Sequence, residues 1–202
     1  MTPDPSGHAR SDDAAISAAR AEAFRALLGG HAPTAAEIAT TAALPKEHIE
    51  TAIAELRAIG ALEVDPKGRV VGAHGLTQRT TDYSIITIER VWHTWCALDA
   101  VGIPVALNLD AEVRTRCPTC AATIVIVVRD GAPAPTDAAP VLWHPSGPCT
   151  HVMDDFCATT NLFCNADHLE RWHAQAGKPA GQPLTISEAA EEGRHIWSDV
   201  TR

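Results

Sequence analysis

Gly60 divides this chain into two kinds of hydrophobic pattern, and that break limits the fold more than any other feature. Before it, three stretches read as helices. Residues 14–28 are rich in Ala and Arg and are stopped by Gly29 and Gly30. Thr34, with Glu37 three residues on, opens a second helix with capping-box spacing, running to about Ala42. A third follows Pro45 and places Ile49, Ile53, Leu56 and Ile59 on one face. After Gly60 come two short strands, 61–64 and 69–72, joined by a turn through Asp65, Pro66, Lys67 and Gly68. Three helices and a β-hairpin make a winged-helix-like unit over residues 14–76.

Such a unit either reads DNA or packs against a larger domain. Between Pro45 and Arg57, where a recognition helix would lie, Lys46 and Arg57 face Glu47, Glu50 and Glu55, and the whole chain carries a formal net charge of −9. Both features repel phosphates, so no nucleic-acid partner is expected. The remainder, 77–202, reads as strands over 83–89, 105–109 and 122–128, then a Pro/Ala-rich loop over 131–140. Helices over 166–176 and 187–197 close it. The expectation is an α+β protein: a winged-helix-like three-helix domain, then a mixed β-sheet catalytic domain with flanking helices. No apolar run approaches the ~18–20 residues of a membrane span, so no membrane partner is expected. Residues 1–13 are polar, with Pro3 and Pro5, and lack the apolar centre of a secretory signal. A disordered leader and a cytoplasmic location are the expectation.

Six cysteines without a secretory signal read as reduced thiols kept for metal or chemistry, not as a disulfide framework. In Trp92-His-Thr-Trp-Cys96-Ala-Leu-Asp99, a helix would put Cys96 and Asp99 at i and i+3 on one face. A buried Asp requires partners or a raised pKa, so a thiol beside a carboxyl is an odd choice for a core. The plainer alternative is a small buried Cys96 and a surface Asp99. The stretch Asp154-Asp155-Phe156-Cys157-Ala158-Thr159 offers a further thiol, and His93 stands where a Cys–His pair with Cys96 is conceivable. Cys117 and Cys120 form a CxxC knuckle; Cys149, His151, Cys157, Cys164 and His168 are available to complete a structural zinc site with it.

The strings Val71-Gly-Ala-His-Gly75-Leu76-Thr77, Trp95-Cys96-Ala97-Leu98-Asp99 and Phe156-Cys157 resemble those of the bacterial organomercurial (alkylmercury) lyases, across roughly the whole chain. The resemblance implies a catalytic trio at Cys96, Asp99 and Cys157, and a structural cysteine at Cys117. It also implies protonolysis of the C–Hg bond of alkyl and aryl mercury compounds to a hydrocarbon and Hg(II), the ion staying on Cys96 and Cys157 beside Asp99. No cofactor is required. Low-molecular-weight thiols would extract the product, and a mercuric reductase would receive it. Three features depart from the family pattern: Cys120 two residues after Pro118, the extra Cys149 and Cys164, and Ala158 where a further cysteine often follows Cys157.

The chemistry accounts for the residue types. Mercury is a soft cation and thiolates bind it best. Two thiolates push electron density onto mercury and make its carbon carbanion-like. Such a carbon leaves only when protonated, so a positioned acid is needed, and Asp99 can carry a proton from a thiol to carbon. The order in which the thiols act stays open, although a helix N-terminus near Cys96 would lower its thiol pKa. Trp92, Trp95 and Phe156 read either as lining of an apolar pocket or as core aromatics. The rival readings are a structural zinc site, which would defeat the trio if it took Cys157, and a thiol-rich metal-sensing winged-helix regulator.

Overall fold

The structure is a computed structural model describing residues 14–136, 138–175, 177–198 and 200; the expected leader, 1–13, lies outside the described residues. The first unit holds α1 (Ala14–Leu28), α2 (Ala35–Ala42) and α3 (Lys46–Ala58), then the hairpin β1 (Leu62–Val64) and β2 (Val70–Ala73). The capping box at α2 is made: Glu37 Oε2 accepts the Thr34 N–H at 2.7 Å, and Thr34 Oγ1 accepts the Glu37 N–H at 3.3 Å. Ile49, Ala52 and Leu56 form the buried stripe of α3. Ile59, expected on that stripe, is 42% exposed, because the helix ends at Ala58 and Ile59 is its C-cap.

The rest of the chain runs β3 (Leu76–Thr77), β4 (Ser84–Ile86), β5 (Val91–Thr94), α4 (Ala97–Ala106), β6 (Ala111–Arg116), β7 (Thr123–Arg129), β8 (Ala132–Pro133) and β9 (Val141–Pro145). A π-helical segment, Val152–Cys157, precedes β10 (Leu162–Phe163), α5 (Ala166–His173), β11 (Gly181–Thr185) and α6 (Ile186–Ile196). One sheet has the order β1-β2-β3-β5-β4-β6-β7-β8 and the other β10-β9-β11. Every strand pair among the described residues is antiparallel, which corrects the expectation of a mixed sheet: hairpins and short returns join neighbours, and no parallel crossover is built. The large sheet also runs straight through residue 76. β3 pairs with β2 on one side and β5 on the other.

Helix α4 is the centre of the core. Residues 97 to 105 are all buried, so it has no polar face and no visible amphipathic period. The apolar run 105–109, expected as a strand, is in fact the end of this helix and the turn after it. Against α4 lie the inward faces of β6 (Ala111, Val113, Thr115) and β7 (Ile124, Ile126, Val128), which alternate with exposed neighbours. α6 crosses α4 where Gly102 meets Gly193; a Cβ on Gly102 would lie 2.8 Å from the Gly193 Cα, so the crossing requires both glycines. The core thereby packs α4 on all sides, and the N-terminus of α4 carries the candidate site.

Candidate active site

β5 ends at Thr94, and the chain turns through an extended Cys96 (φ −148°, ψ 179°) into α4. Cys96 is therefore the N-cap and Asp99 the third helical residue, so the pair expected on one face of a helix instead occupies the two positions of a capping box. Asp99 Oδ2 accepts the Cys96 N–H at 3.0 Å. Gly75, at φ +91°, packs against that carboxyl: a Cβ there would sit 2.6 Å from Asp99 Oδ1. The Gly75 carbonyl accepts the Trp95 N–H at 2.9 Å, which ties this turn to the residue preceding the cap.

Cys157 arrives on the π-helical segment, whose wide turn shows in the Ala158 N–H bonding the Met153 carbonyl at 3.0 Å. Asp155 anchors its start. One carboxylate oxygen accepts the N–H groups of Thr150 (2.7 Å) and His151 (2.8 Å) and the Thr150 hydroxyl (2.9 Å). Those bonds, the His151 N–H foremost, hold the Asp155 carboxyl below its ordinary pKa. At the other end the Thr160 hydroxyl donates to the Phe156 carbonyl at 2.8 Å, and the Thr160 carbonyl accepts the Ala97 N–H at 3.3 Å. The segment bearing Cys157 is thus bonded directly to the first turn of α4.

These two constructions bring Cys96, Asp99 and Cys157 together, with one ligand atom from each lying within 4.8 Å of the others. All three are buried, at 0%, 1% and 5% exposure. Burial raises the Asp99 carboxyl to a pKa of about 7, although the Cys96 thiol and the N–H groups of Cys96 and Trp95 pull it partly back. Cys96 is raised well above the usual thiol value by burial first, then by the Cys157 thiol and the Asp99 charge. The expectation that the helix N-terminus would lower it fails because desolvation outweighs the dipole. For Cys157, the hydrogen bond from Cys96 pulls downward, but burial and the Asp99 charge together leave it raised. Near neutral pH the Asp99 carboxyl can therefore take a proton as well as give one, whereas both thiols are pushed toward their protonated form.

The other expected residues are placed as follows. His93 lies on β5 and its Nδ1 accepts the Thr81 N–H at 3.4 Å, while the groups acting on Cys96 are Cys157 and Asp99; the Cys–His pair is not made. Trp92 donates its indole N–H to the Leu28 carbonyl at 2.9 Å, and so ties β5 to α1. Trp95 donates to Glu63 Oε2 at 2.8 Å, and Phe156 packs edge-on against His144 at 5.2 Å. Cys117 is not with the trio but with Cys120, Cys164 and His168, a second group whose ligand atoms also lie within 4.8 Å of one another. Cys149 and His151 belong to neither group, and Cys157 does not join the CxxC.

Two neighbours escaped the sequence reading. Tyr83 donates its hydroxyl to Asn161 Oδ1 at 2.8 Å, and its pKa is raised by burial and by the charges of Cys96, Asp82, Cys157 and Asp99. Glu63 is a buried carboxylate in the hairpin that accepts from Thr77 (2.8 Å) as well as Trp95, with Arg79 at 3.2 Å. A tyrosine just before β4 and a glutamate on β1 carry no motif; the shared sheet, with β1, β2, β3, β5 and β4 side by side, gathers them.

A buried pair of thiols with a buried carboxyl between helix cap and π-turn is a donor set suited to a thiophilic metal, with a proton source beside it. The model of the alkylmercury lyase family matches residues 76–198. The chain belongs to that family: it is an organomercurial lyase, acting on the carbon–mercury bond. The crystal structure of the mercury-bound form of MerB2 matches it with a TM-score of 0.86 at 20% identity, over 95% of this chain and 93% of that one, a likeness of fold. No curated protein matches the sequence significantly. Among the described residues, no helix is long and apolar enough to cross a membrane.

Proposed function

We propose that Cys96, Cys157 and Asp99 are the groups that cleave the carbon–mercury bond, and that the Hg(II) product stays on the two thiolates with the Asp99 carboxylate beside it. The observation that carries this reading is the meeting of two buried thiols and one buried carboxyl within 4.8 Å, where one soft ion can touch all three. A thiolate displaces the substrate's outgoing ligand and forms the first S–Hg bond. The second thiol gives its proton to Asp99 and bonds mercury as a thiolate. Asp99 then protonates the carbon as the C–Hg bond breaks, so R–Hg–X and two thiols become R–H, a bis-thiolate Hg(II) and HX. A carboxyl with a pKa of about 7 suits this duty, because near neutral pH it can both accept the thiol proton and release it.

The trio supplies nucleophiles and acid by itself, so this reading requires no resident cofactor. Small thiols exchange the bound ion out, and a mercuric reductase is the next acceptor. On this reading residues 14–76 are a winged-helix-like packing unit, 77–202 the catalytic domain, and the setting is cytoplasmic. The acidic α3 (Glu47, Glu50 and Glu55 against Lys46 and Arg57) supports a packing role over DNA reading. The test is headspace detection of methane from methylmercury or benzene from phenylmercury. Wild type is expected to release hydrocarbon, whereas Cys96→Ser, Cys157→Ser and Asp99→Asn lose turnover. Undiminished release by any of the three removes that residue from the assignment.

A further inference from the structure

Outside the trio, the described residues hold a second cluster of metal-ligating side chains, Cys117, Cys120, Cys164 and His168. Cys117 directly follows β6, and Cys120 sits in the turn leading to β7. That turn is closed by the Ala121 N–H on the Cys117 carbonyl (2.8 Å) and the Cys117 N–H on the Ala122 carbonyl (2.9 Å), with Ala121 in the left-handed region at φ 60°. Cys164 directly follows β10. Asn165 caps α5 by accepting the His168 N–H at 2.9 Å, which puts the His168 ring in the first turn, next to Cys164. The Thr119 hydroxyl donates to the His168 carbonyl at 2.7 Å and locks the two halves together.

We propose that these four side chains bind one structural Zn²⁺, as three thiolates and a neutral imidazole bonded through Nδ1. The donor set is one of the closed tetrahedral types that zinc takes in structural sites. The spacing agrees as well. A tetrahedron with Zn–S and Zn–N bonds of ordinary length has edges of about 3.8 Å between sulfurs and about 3.6 Å between sulfur and nitrogen. Cys120 Sγ and Cys164 Sγ stand 3.7 Å apart, and Cys117 Sγ and His168 Nδ1 stand 3.4 Å apart. Three backbone N–H groups, of Cys164, Thr119 and Cys120, converge on the Cys117 sulfur and offset the charge of a thiolate there.

The ion would do mechanical work that the short strands cannot do alone. β6 and β7 belong to the eight-stranded sheet, and β10 to the three-stranded one. Zinc would staple the two sheets together where β10 packs against β6. β10 is also the strand that receives the chain immediately after the Cys157 segment and Thr160. Fixing Cys164 therefore fixes the far end of the segment that delivers Cys157 to Cys96.

The test is metal analysis of the full-length protein, purified under reducing conditions and reconstituted with equimolar Zn²⁺, for wild type, Cys120→Ser/Cys164→Ser and Cys96→Ser/Cys157→Ser. Wild type and the Cys96/Cys157 variant are expected to retain about one zinc per chain after desalting, and the Cys120/Cys164 variant to hold at least about tenfold less. Co²⁺ substitution should give thiolate-to-cobalt charge-transfer and tetrahedral ligand-field bands in the first two proteins and not in the third. Two results would overturn the proposal: wild type with less than about a tenth of a zinc per chain, or zinc that leaves with Cys96 and Cys157 and survives loss of Cys120 and Cys164. Because the wild-type stoichiometry and the Cys96/Cys157 variant decide the matter, misfolding of the Cys120/Cys164 variant would not shield the idea.

Discussion

Replacing Asp99 by Asn should stabilise the metal-free protein at neutral pH and leave it little changed in acid. The carboxyl rises from 3.8 to about 7 on folding because it is fully buried. That shift corresponds to roughly 4 kcal/mol between its two protonation states. The native state keeps the proton through a range in which the unfolded chain has already lost it, so the folded form binds more protons between those two values. Stability therefore falls as pH rises through this window, by up to about 1.4 kcal/mol per unit, and is level below about 4 and above about 7. The amide of the Asp99→Asn protein does not titrate, while its carbonyl can still accept the Cys96 N–H. The remaining titrations, that of Cys117 included, are common to the two proteins, apart from those of Cys96 and Cys157, which the Asp99 charge helps to raise. Urea unfolding of both proteins in a reducing buffer, from pH 4.5 to 8.5, reads the difference directly. The advantage of the Asp99→Asn protein should grow by about 3 kcal/mol between pH 4.5 and 7 and then plateau. A difference that stays flat over the whole range would mean that Asp99 is ionised in the native site, and the proton-carrier argument would lose its physical basis.

Gly75→Ala should cost roughly 1–3 kcal/mol in urea unfolding because its φ of +91° is strained for any side chain. By pushing the Asp99 carboxyl off its position, it should also lower benzene release by about 10²-fold while Hg(II) binding persists; wild-type turnover would show that the carboxyl's placement is not critical. Cys157→Ser should keep one S–Hg attachment but release no hydrocarbon, as measured by mass spectrometry of the mercurated protein beside headspace analysis. Glu63→Gln, which weakens the bonds from Thr77 and Trp95 and the ion pair with Arg79, should lower stability by about 1–3 kcal/mol in the same unfolding assay. His93→Ala should retain full activity, since its imidazole bonds Thr81 rather than the trio; a loss of turnover with the fold intact would reinstate a Cys–His role.

The parts of the fold legible in the sequence are those that carry punctuation. Gly29-Gly30, the Thr34/Glu37 box, Pro45 and the Asp65–Gly68 turn each mark an element boundary, and the structure places α1, α2, α3 and the hairpin where those signals stand. Illegibility sets in where burial is total. α4 is apolar on every side, so its C-terminal Val105-Ala-Leu looks like a buried strand, and only the crossing at Gly102 and Gly193 reveals why it must be a helix. The site divides in the same way. Cys-Ala-Leu-Asp is readable as a cysteine–carboxylate unit on a helix face, yet Cys-x-x-Asp equally has the spacing of an N-cap and third residue. Cysteine is a rare cap, and that hides the signal. Cys117-x-x-Cys120 and Cys164-x-x-x-His168 are each visible as short pairs, yet no periodicity says that β6 and α5 meet.

The proposed chemistry follows from what surrounds the trio as much as from the trio itself. Cys96 feels the charges of Cys157 and Asp99 and Cys157 that of Asp99, and burial adds to these in raising both thiols and the Asp99 carboxyl. Two buried thiols arranged this way resist ionisation until a cation arrives, while the carboxyl beside them is free to exchange a proton near neutral pH. R–Hg⁺ is such a cation, and its capture by the first thiolate lowers the cost of ionising the second thiol. The proton released at that moment has Asp99 as its nearest base, already held by the Cys96 N–H and by the wall at Gly75. In the proposed reaction, metal capture therefore loads the acid that will be spent on carbon. That coupling explains why the carboxyl is built into the same helix cap as one of the thiols instead of standing on a separate loop: the cap fixes the distance between the atom that binds mercury and the atom that delivers the proton.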